Sequence, residues 1–146
     1  MTVGPAGRRS VMQRGALALT EDLSVSEAGA RDTPPTRSQI ADTSRPCAFG
    51  AERLFAFAAL TMSPNRVHFE SAAAGAVGLP APVVDARLLA LDLAVMAEAA
   101  HGPIVAFDFR TFAPVLQDES VILCAKAHDF WVEDATGKVV MTARAG

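Results

Sequence analysis

The sequence predicts an α+β fold in which an antiparallel β-sheet wraps around one buried helix. Residues 83–101 form the longest helix candidate, and they are apolar around almost the whole helical wheel, which is typical of a buried helix. From Ile104 onward the apolar residues recur with a period of two, which indicates strands. Because one long helix precedes a run of strands, we expect the sheet to pack one face against that helix.

The length and composition fit one globular domain with an N-terminal extension. The chain has 146 residues, of which 51% are hydrophobic, and its mean hydropathy is +0.26. Residues 1–44 are rich in Arg, acidic residues, Pro, Ser and Thr and contain no aromatic residue, so they bury too little apolar surface to offset the entropy of ordering. We therefore expect a disordered or loosely attached tail at 1–44 and a single domain at 45–146.

Charge and hydropathy exclude two classes of partner. The net charge is −3 and the basic residues are scattered, so the chain has no basic stripe to neutralise the phosphates of a nucleic acid. No apolar run approaches the roughly 20 residues of a membrane span. The apolar patch at residues 16–19 is too short for a secretory signal and is followed by acidic residues. We expect no nucleic-acid or membrane partner and a cytoplasmic protein.

The two cysteines, Cys47 and Cys124, do not have the spacing of metal ligands. Two Cys and three distant His residues cannot assemble a structural zinc site. In a cytoplasmic protein, free thiols are expected rather than a disulfide. The sequence therefore predicts no metal site and two free cysteines.

Two helix candidates precede the long helix. Ala51–Leu60 is rich in helix formers and has no Pro or Gly, and Pro64 then ends the helical pattern because its ring cannot continue the hydrogen-bond ladder. The small residues of 71–77 are compatible with one loose helix. The long helix over 83–101 begins near Asp85 and is ended by Gly102 and the proline that follows it.

The helical wheel of 83–101 leaves only a narrow stripe of polar or small residues. This stripe consists of Arg87, Ala94, Glu98 and His101. Asp92 lies among the apolar positions. It is either a buried carboxylate with a partner or a sign that the wheel is rotated from its assumed orientation.

The C-terminal third of the chain reads as strands. Val105, Phe107 and Phe109 lie on one face of the first strand, with charged residues on the other. The later strands are predicted at 121–127, 129–133 and 138–143. The last two are joined by residues 134–137, a hairpin-type connection in which Gly137 supplies a positive φ.

Four sequence blocks, in the same order, resemble a known family. Phe57–Glu70 resembles the active-site segment of the MaoC-like hydratases, particularly the branch of mesaconyl-CoA and itaconyl-CoA hydratases. Pro82–Leu89 is similar to the family's Leu-Val-Val-His-Gly-Pro-Leu-Leu, and Phe109 and Arg110, followed by Pro114, are similar to its Phe-Arg and Pro. The segment from Trp131 to Val139 resembles its last hairpin.

This resemblance implies a hotdog fold, in which the antiparallel sheet wraps around a central helix. It also implies the addition of water to an enoyl-CoA thioester, or its removal from a β-hydroxyacyl-CoA thioester. The family needs no metal or redox cofactor beyond the CoA thioester that is its substrate. Its members pair sheet edges, so the expected partners are acyl-CoA and either a second copy of the chain or another hotdog protein.

The resemblance also assigns roles to individual residues. His68 matches the family's catalytic histidine, and Ser63 stands where an acidic or amide partner is expected. Asn65 is first a turn residue and, second, a group that can orient water. Asp85 replaces a histidine and reads as a helix N-cap, and Ala86 stands where a glycine supplies the N–H that binds the thioester oxygen.

The departures from the family keep other interpretations open. Ser63 cannot act as a base near neutral pH, and Asp85 puts a negative charge near the expected oxyanion site. The main alternative is therefore a catalytically degenerate hotdog protein that binds thioesters or serves as a partner subunit. A further alternative is a thioesterase that uses Asp85 as its base.

Overall fold

The computed structural model describes residues 7–13, 16–23 and 40–146. The chain divides into two compact units, Met1–Asp32 and Thr33–Gly146. In the first unit, β1 (Gly7–Gln13) and β2 (Ala16–Leu23) form a two-stranded antiparallel sheet.

These two strands lie within residues 1–44, for which the sequence predicts a disordered or loosely attached tail. The strands show that part of this segment has regular secondary structure. Composition did not indicate them, because a hairpin is joined by backbone hydrogen bonds that almost any composition can supply. A loose attachment of the segment and the domain boundary at residue 45 stay predictions.

The described part of the second unit, residues 40–146, contains an antiparallel sheet and three α-helices. Its elements in chain order are β3 (Thr43–Cys47), α1 (Ala51–Leu60), a 3₁₀ turn (Arg66–His68), α2 (Ser71–Ala76), α3 (Ala86–His101), β4 (Phe107–Thr111), β5 (Val121–Lys126), β6 (Asp129–Asp134) and β7 (Val139–Ala145). The strand order in the sheet is β3-β5-β6-β7-β4, and all neighbours are antiparallel. This arrangement confirms the predicted α+β class.

The core lies between α3 and one face of the sheet. It includes Leu88, Leu93 and Ala97 of α3, packed in one cluster with Phe130 and Met141 of the sheet. All five side chains are almost completely buried, so removing them from water is a main source of the stability of this unit. The long helix is thus held in place along its length, which fixes the position of its first turn.

The sequence predicts that α3 is buried on all sides, and this prediction is wrong. Leu91 and Val95 are 50% and 51% exposed, because the sheet covers only one side of the helix. The helix also begins at Ala86 rather than at residue 83. Val83 and Val84 are instead extended, and Val84 N–H donates to the carbonyl of Val115 at 2.8 Å.

The strand predictions hold for β4 to β7, although β4 begins later than predicted, and β3 was missed. β5, β6 and β7 lie within about two residues of their predicted ranges, and Gly137 has the predicted positive φ of 81°. Val105, however, lies outside β4 and is 93% exposed. β3 was not predicted, because Pro46 weakens the strand pattern; proline is tolerated there since β3 is an edge strand.

Candidate active site

The segment that follows α1 carries three of the predicted site residues. The backbone N–H of Ser63 donates to the carbonyl of Ala58 at 2.9 Å, which closes the end of α1. The side chain of Asn65 accepts a hydrogen bond from Val67 N at 3.3 Å and so caps the 3₁₀ turn. His68 is the last residue of that turn. The turn therefore sets the direction of the imidazole.

The ring of His68 is anchored through one nitrogen. Its Nδ1 lies 2.9 Å from the carbonyl oxygen of Val83, and Val83 N–H donates to Val67 O at 3.1 Å. These two hydrogen bonds join the 3₁₀ turn to the segment that precedes α3. A carbonyl oxygen can only accept, so Nδ1 carries the proton of this hydrogen bond. In the neutral ring, Nε2 is then a lone-pair acceptor. This nitrogen lies 4.0 Å from Oδ2 of Asp85.

Asp85 is the N-cap of α3, as the sequence predicted. Its Oδ1 accepts hydrogen bonds from Arg87 N at 2.9 Å and Arg87 Nε at 3.0 Å, and its Oδ2 accepts one from Arg87 Nη2 at 2.6 Å. Burial alone would raise the pKa of Asp85, but the hydrogen bonds from Arg87 and the positive charge of its guanidinium hold that pKa below its ordinary value. The carboxylate is therefore ionised near neutral pH.

Arg87 changes the electrostatics that the sequence suggested. Asp85 was expected to place an uncompensated negative charge near the oxyanion site, but Arg87 pairs with it through both carboxylate oxygens. The guanidinium also lies 5.8 Å from the ring centroid of Phe57, close enough for a cation–π interaction. Sequence reasoning placed Arg87 on the polar stripe and missed this role. An Arg two residues after an N-cap Asp was the available signal.

Ala86 is the first residue of α3. The backbone N–H groups of a first helical turn have no acceptor within the helix, and they form the positive end of the helix dipole. In this turn Arg87 N–H donates to Oδ1 of Asp85 and Leu88 N–H donates to the Asp85 carbonyl, so Ala86 N–H is the donor that remains for a developing anion within the described residues. It follows Asp85 directly in the chain.

The structure brings together some of the predicted site residues. His68 and Asp85 face each other, with Ala86 adjacent. Ser63 and Asn65 lie at the start of the same loop. Within the described part of the chain, neither of their side chains forms a hydrogen bond or ion pair with His68.

A second charged cluster surrounds Asp92 of α3. This buried carboxylate pairs with Arg53 of α1, and Arg45 Nη2 lies 3.8 Å from it, so the first of the two interpretations of Asp92, a buried carboxylate with a partner, is the one observed. The thiol of Cys47 lies 3.7 Å from Asp92 Oδ2, and burial together with this negative charge raises the pKa of Cys47. Cys47 and Cys124 are not joined in a disulfide, as predicted.

Residues 7–13, 16–23 and 40–146 lack two further features. No cluster of three or more His, Cys, Asp or Glu side chains suited to a metal ion occurs there. No helix in these ranges is long and apolar enough to cross a membrane.

No protein-family model and no curated protein sequence matches the chain. Several solved structures, in contrast, are similar to the chain. An (R)-hydratase from A. caviae involved in PHA biosynthesis is 21% identical, with a TM-score of 0.60, and the match covers 75% of this chain and 96% of that one. The C-terminally truncated HadBC complex from Mycobacterium tuberculosis, a 3R-hydroxyacyl-ACP dehydratase, is 17% identical, with a TM-score of 0.56 and coverages of 75% and 98%.

A MaoC-like dehydratase from Phytophthora capsici is also similar. It is 13% identical, with a TM-score of 0.60, and the match covers 87% of this chain and 46% of that one. At these identities the likeness shows the fold. The chain has the hotdog fold that the sequence predicted, and its structural neighbours are MaoC-like and (R)-hydratase proteins.

Proposed function

We propose that this hotdog chain is an acyl-CoA hydratase or dehydratase that acts on an enoyl-CoA or β-hydroxyacyl-CoA thioester. The observation that carries the proposal is the anchored imidazole of His68, whose Nε2 is left as an acceptor beside the first turn of α3. A base and an N–H donor at one place are the two requirements of this chemistry. The chemistry named for the similar hydratases and dehydratases supports the same class.

His68 carries the proton transfers. In the hydration direction, Nε2 of His68 takes a proton from water while the water oxygen forms a bond to Cβ of the thioester. The π electrons of the Cα–Cβ bond move toward the carbonyl and give an enolate. The same proton then passes from Nε2 to Cα, which restores the neutral imidazole. Dehydration is the reverse sequence, so one residue serves both directions.

The first turn of α3 stabilises the enolate. The thioester oxygen gains negative charge when water adds, and Ala86 N–H at the positive end of the helix dipole is the donor assigned to it. Ser63 and Asn65 are the residues assigned to position the water from the loop side. No metal or redox cofactor takes part in this scheme.

The acyl group and the assembly follow from the sequence resemblance. Phe57–Glu70 is closest to the mesaconyl-CoA and itaconyl-CoA branch, so short branched dicarboxylyl-CoA thioesters are the first substrates to test. The proposed partners are acyl-CoA and a second hotdog subunit, either a copy of this chain or a different protein. A cytoplasmic location fits a CoA thioester as substrate.

The direct test is a spectrophotometric hydration screen over short enoyl-CoA and branched dicarboxylyl-CoA thioesters. We expect turnover with at least one of them, and His68→Ala should reduce it by roughly 100-fold to 10,000-fold, the usual contribution of general acid–base catalysis. The matched control is His128→Ala, because His128 is an exposed histidine of the β5–β6 turn. Robust turnover that His68→Ala leaves unchanged would contradict the mechanism.

A second candidate is a degenerate subunit that binds thioesters beside an active partner. Ser63 at the expected acidic position favours it, and the HadBC structure is a complex of hotdog proteins. This candidate predicts acyl-CoA binding without turnover, and an effect of His68→Ala on stability alone. Release of free CoA in the same screen would instead indicate a thioesterase.

A further inference from the structure

We infer that Asp85 supplies the carboxylate of the active site and, with Nε2 of His68, holds the water molecule that reacts. This assignment rests on the proposed function and deepens it. The carboxylate comes from the N-cap of α3 rather than from position 63 in the loop, where the chain has a serine.

The geometry of the pair suits a bridging water. Nε2 of His68 and Oδ2 of Asp85 are 4.0 Å apart, which is too far for a direct hydrogen bond. Both atoms are acceptors when the imidazole is neutral and the carboxylate ionised. A water that donates to two acceptors at about 2.8 Å each holds them roughly 4 to 4.5 Å apart. The observed separation therefore matches two acceptors that share one donor molecule.

The hydrogen bonds of Asp85 leave room for that water. A carboxylate offers about four acceptor sites. Arg87 occupies three of them through its backbone N, Nε and Nη2. Within the described residues the fourth site, on the side of His68, has no protein donor assigned to it.

The ion pair with Arg87 also sets the protonation state of Asp85. The paired guanidinium keeps the carboxylate ionised, so Asp85 accepts hydrogen bonds and donates no proton. It orients the water so that one hydrogen points to Oδ2 and the other to Nε2 of His68. When Nε2 takes its proton, the nearby negative charge stabilises the imidazolium. Asp85 touches the reacting water and is therefore a catalytic residue, although it never changes its own protonation state.

The test uses Asp85→Asn and Asp85→Ser in the full chain. Asn and Ser both serve well as helix N-caps, so the start of α3 should be retained while the carboxylate is lost. We expect each variant to lower kcat by about 100-fold or more. KM should stay within roughly threefold, because the lost contact is to water and not to the acyl-CoA.

The matched control is Asp134→Asn, which removes another carboxylate that accepts a hydrogen bond from the backbone N–H two residues later. Its hydrogen-bond partners, Thr136 and Lys138, lie in its own hairpin turn, so kcat should not change. Circular dichroism melts of all variants show whether α3 is retained.

Three outcomes distinguish the assignment of Asp85 from the proposed function. A parent enzyme with turnover, whose kcat falls in both Asp85 variants but not in Asp134→Asn, supports the assignment. A parent enzyme with turnover that neither Asp85 variant reduces by more than about threefold overturns the assignment and leaves the proposed function standing. A parent protein that hydrates no thioester in the screen overturns the proposed function and this assignment together.

Discussion

Single residues in this chain owe their behaviour to close partners, and the charge of Asp85 is the clearest case. Its folded-state pKa lies below the ordinary value of about 3.9 because of Arg87. A group with a depressed pKa stabilises the fold above its unfolded pKa, and this contribution is lost as the pH falls through the folded value. The ion pair should therefore stabilise the protein near neutral pH and stop doing so in acid.

The first prediction compares the parent with Asp85→Asn in thermal melts between about pH 6 and about pH 2.5, a range that spans the ordinary aspartate pKa. The parent should have the higher midpoint near pH 6, and the two midpoints should converge below about pH 3.9. Asn keeps the N-cap, so the difference reports the carboxylate charge. Midpoints that stay equal at all pH values would show that the ion pair with Arg87 adds no stability.

The second prediction concerns Asp92, which is buried and paired with Arg53. Arg53→Met should destabilise the unit by about 1–3 kcal/mol, because it leaves a buried carboxylate without its main donor. The double variant Arg53→Met/Asp92→Leu should recover part of this loss, since replacing both members of a pair with apolar groups is often close to neutral. Urea denaturation measures both values. A double variant less stable than Arg53→Met would contradict this account.

At the scale of elements, backbone conformation decides whether replacing a glycine with alanine raises or lowers the stability of the fold. Gly137 has a φ of 81° in the β6–β7 turn, whereas Gly75 lies inside α2, and an added Cβ would meet nothing within 4 Å at either position. The third prediction is that Gly137→Ala destabilises by about 1 kcal/mol, while Gly75→Ala stabilises by roughly 0.5–1 kcal/mol. Chemical denaturation of both variants checks the pair. Equal effects would show that local space, and not φ, is decisive.

Several elements could be predicted from their own residues. Ala51–Leu60 has helical spacing and β4 alternates apolar with polar residues, while β5 to β7 are largely apolar runs whose last turn is marked by Gly137. The edge strand β3 could not be predicted, because Pro46 weakens its strand pattern.

The site could be predicted in part for a similar reason. His68 was proposed from the resemblance of Phe57–Glu70 to the family's active-site segment, and Asp85 was predicted as the cap at the start of the long helix. Their 4.0 Å approach and the anchoring of His68 on Val83 depend on contacts between segments 15 or more residues apart. No local pattern encodes such contacts. Arg87 shows the same limit, because its position on the helical wheel placed it on the polar stripe but did not indicate that it pairs with Asp85.

For the whole molecule, the free edges of the described sheet are the main structural constraint. β3 and β4 are the outer strands of the five-stranded sheet in the unit that begins at Thr33. An open edge exposes unpaired N–H and C=O groups and tends to pair with another chain. Pro46 removes one donor from β3, so β4 is the better edge for pairing.

The last prediction is that the chain forms a dimer through β4. Light scattering at micromolar concentration should give about twice the monomer mass of 15.3 kDa. Phe109 of β4 is 38% exposed, and Phe109→Lys should shift the protein toward monomer, because two copies of the edge would bring like charges together. Ser44→Lys on β3 is the matched control and should leave the dimer intact. A stable monomer of the parent would contradict pairing between copies, and dimerisation only after another hotdog protein is added would favour the partner-subunit alternative.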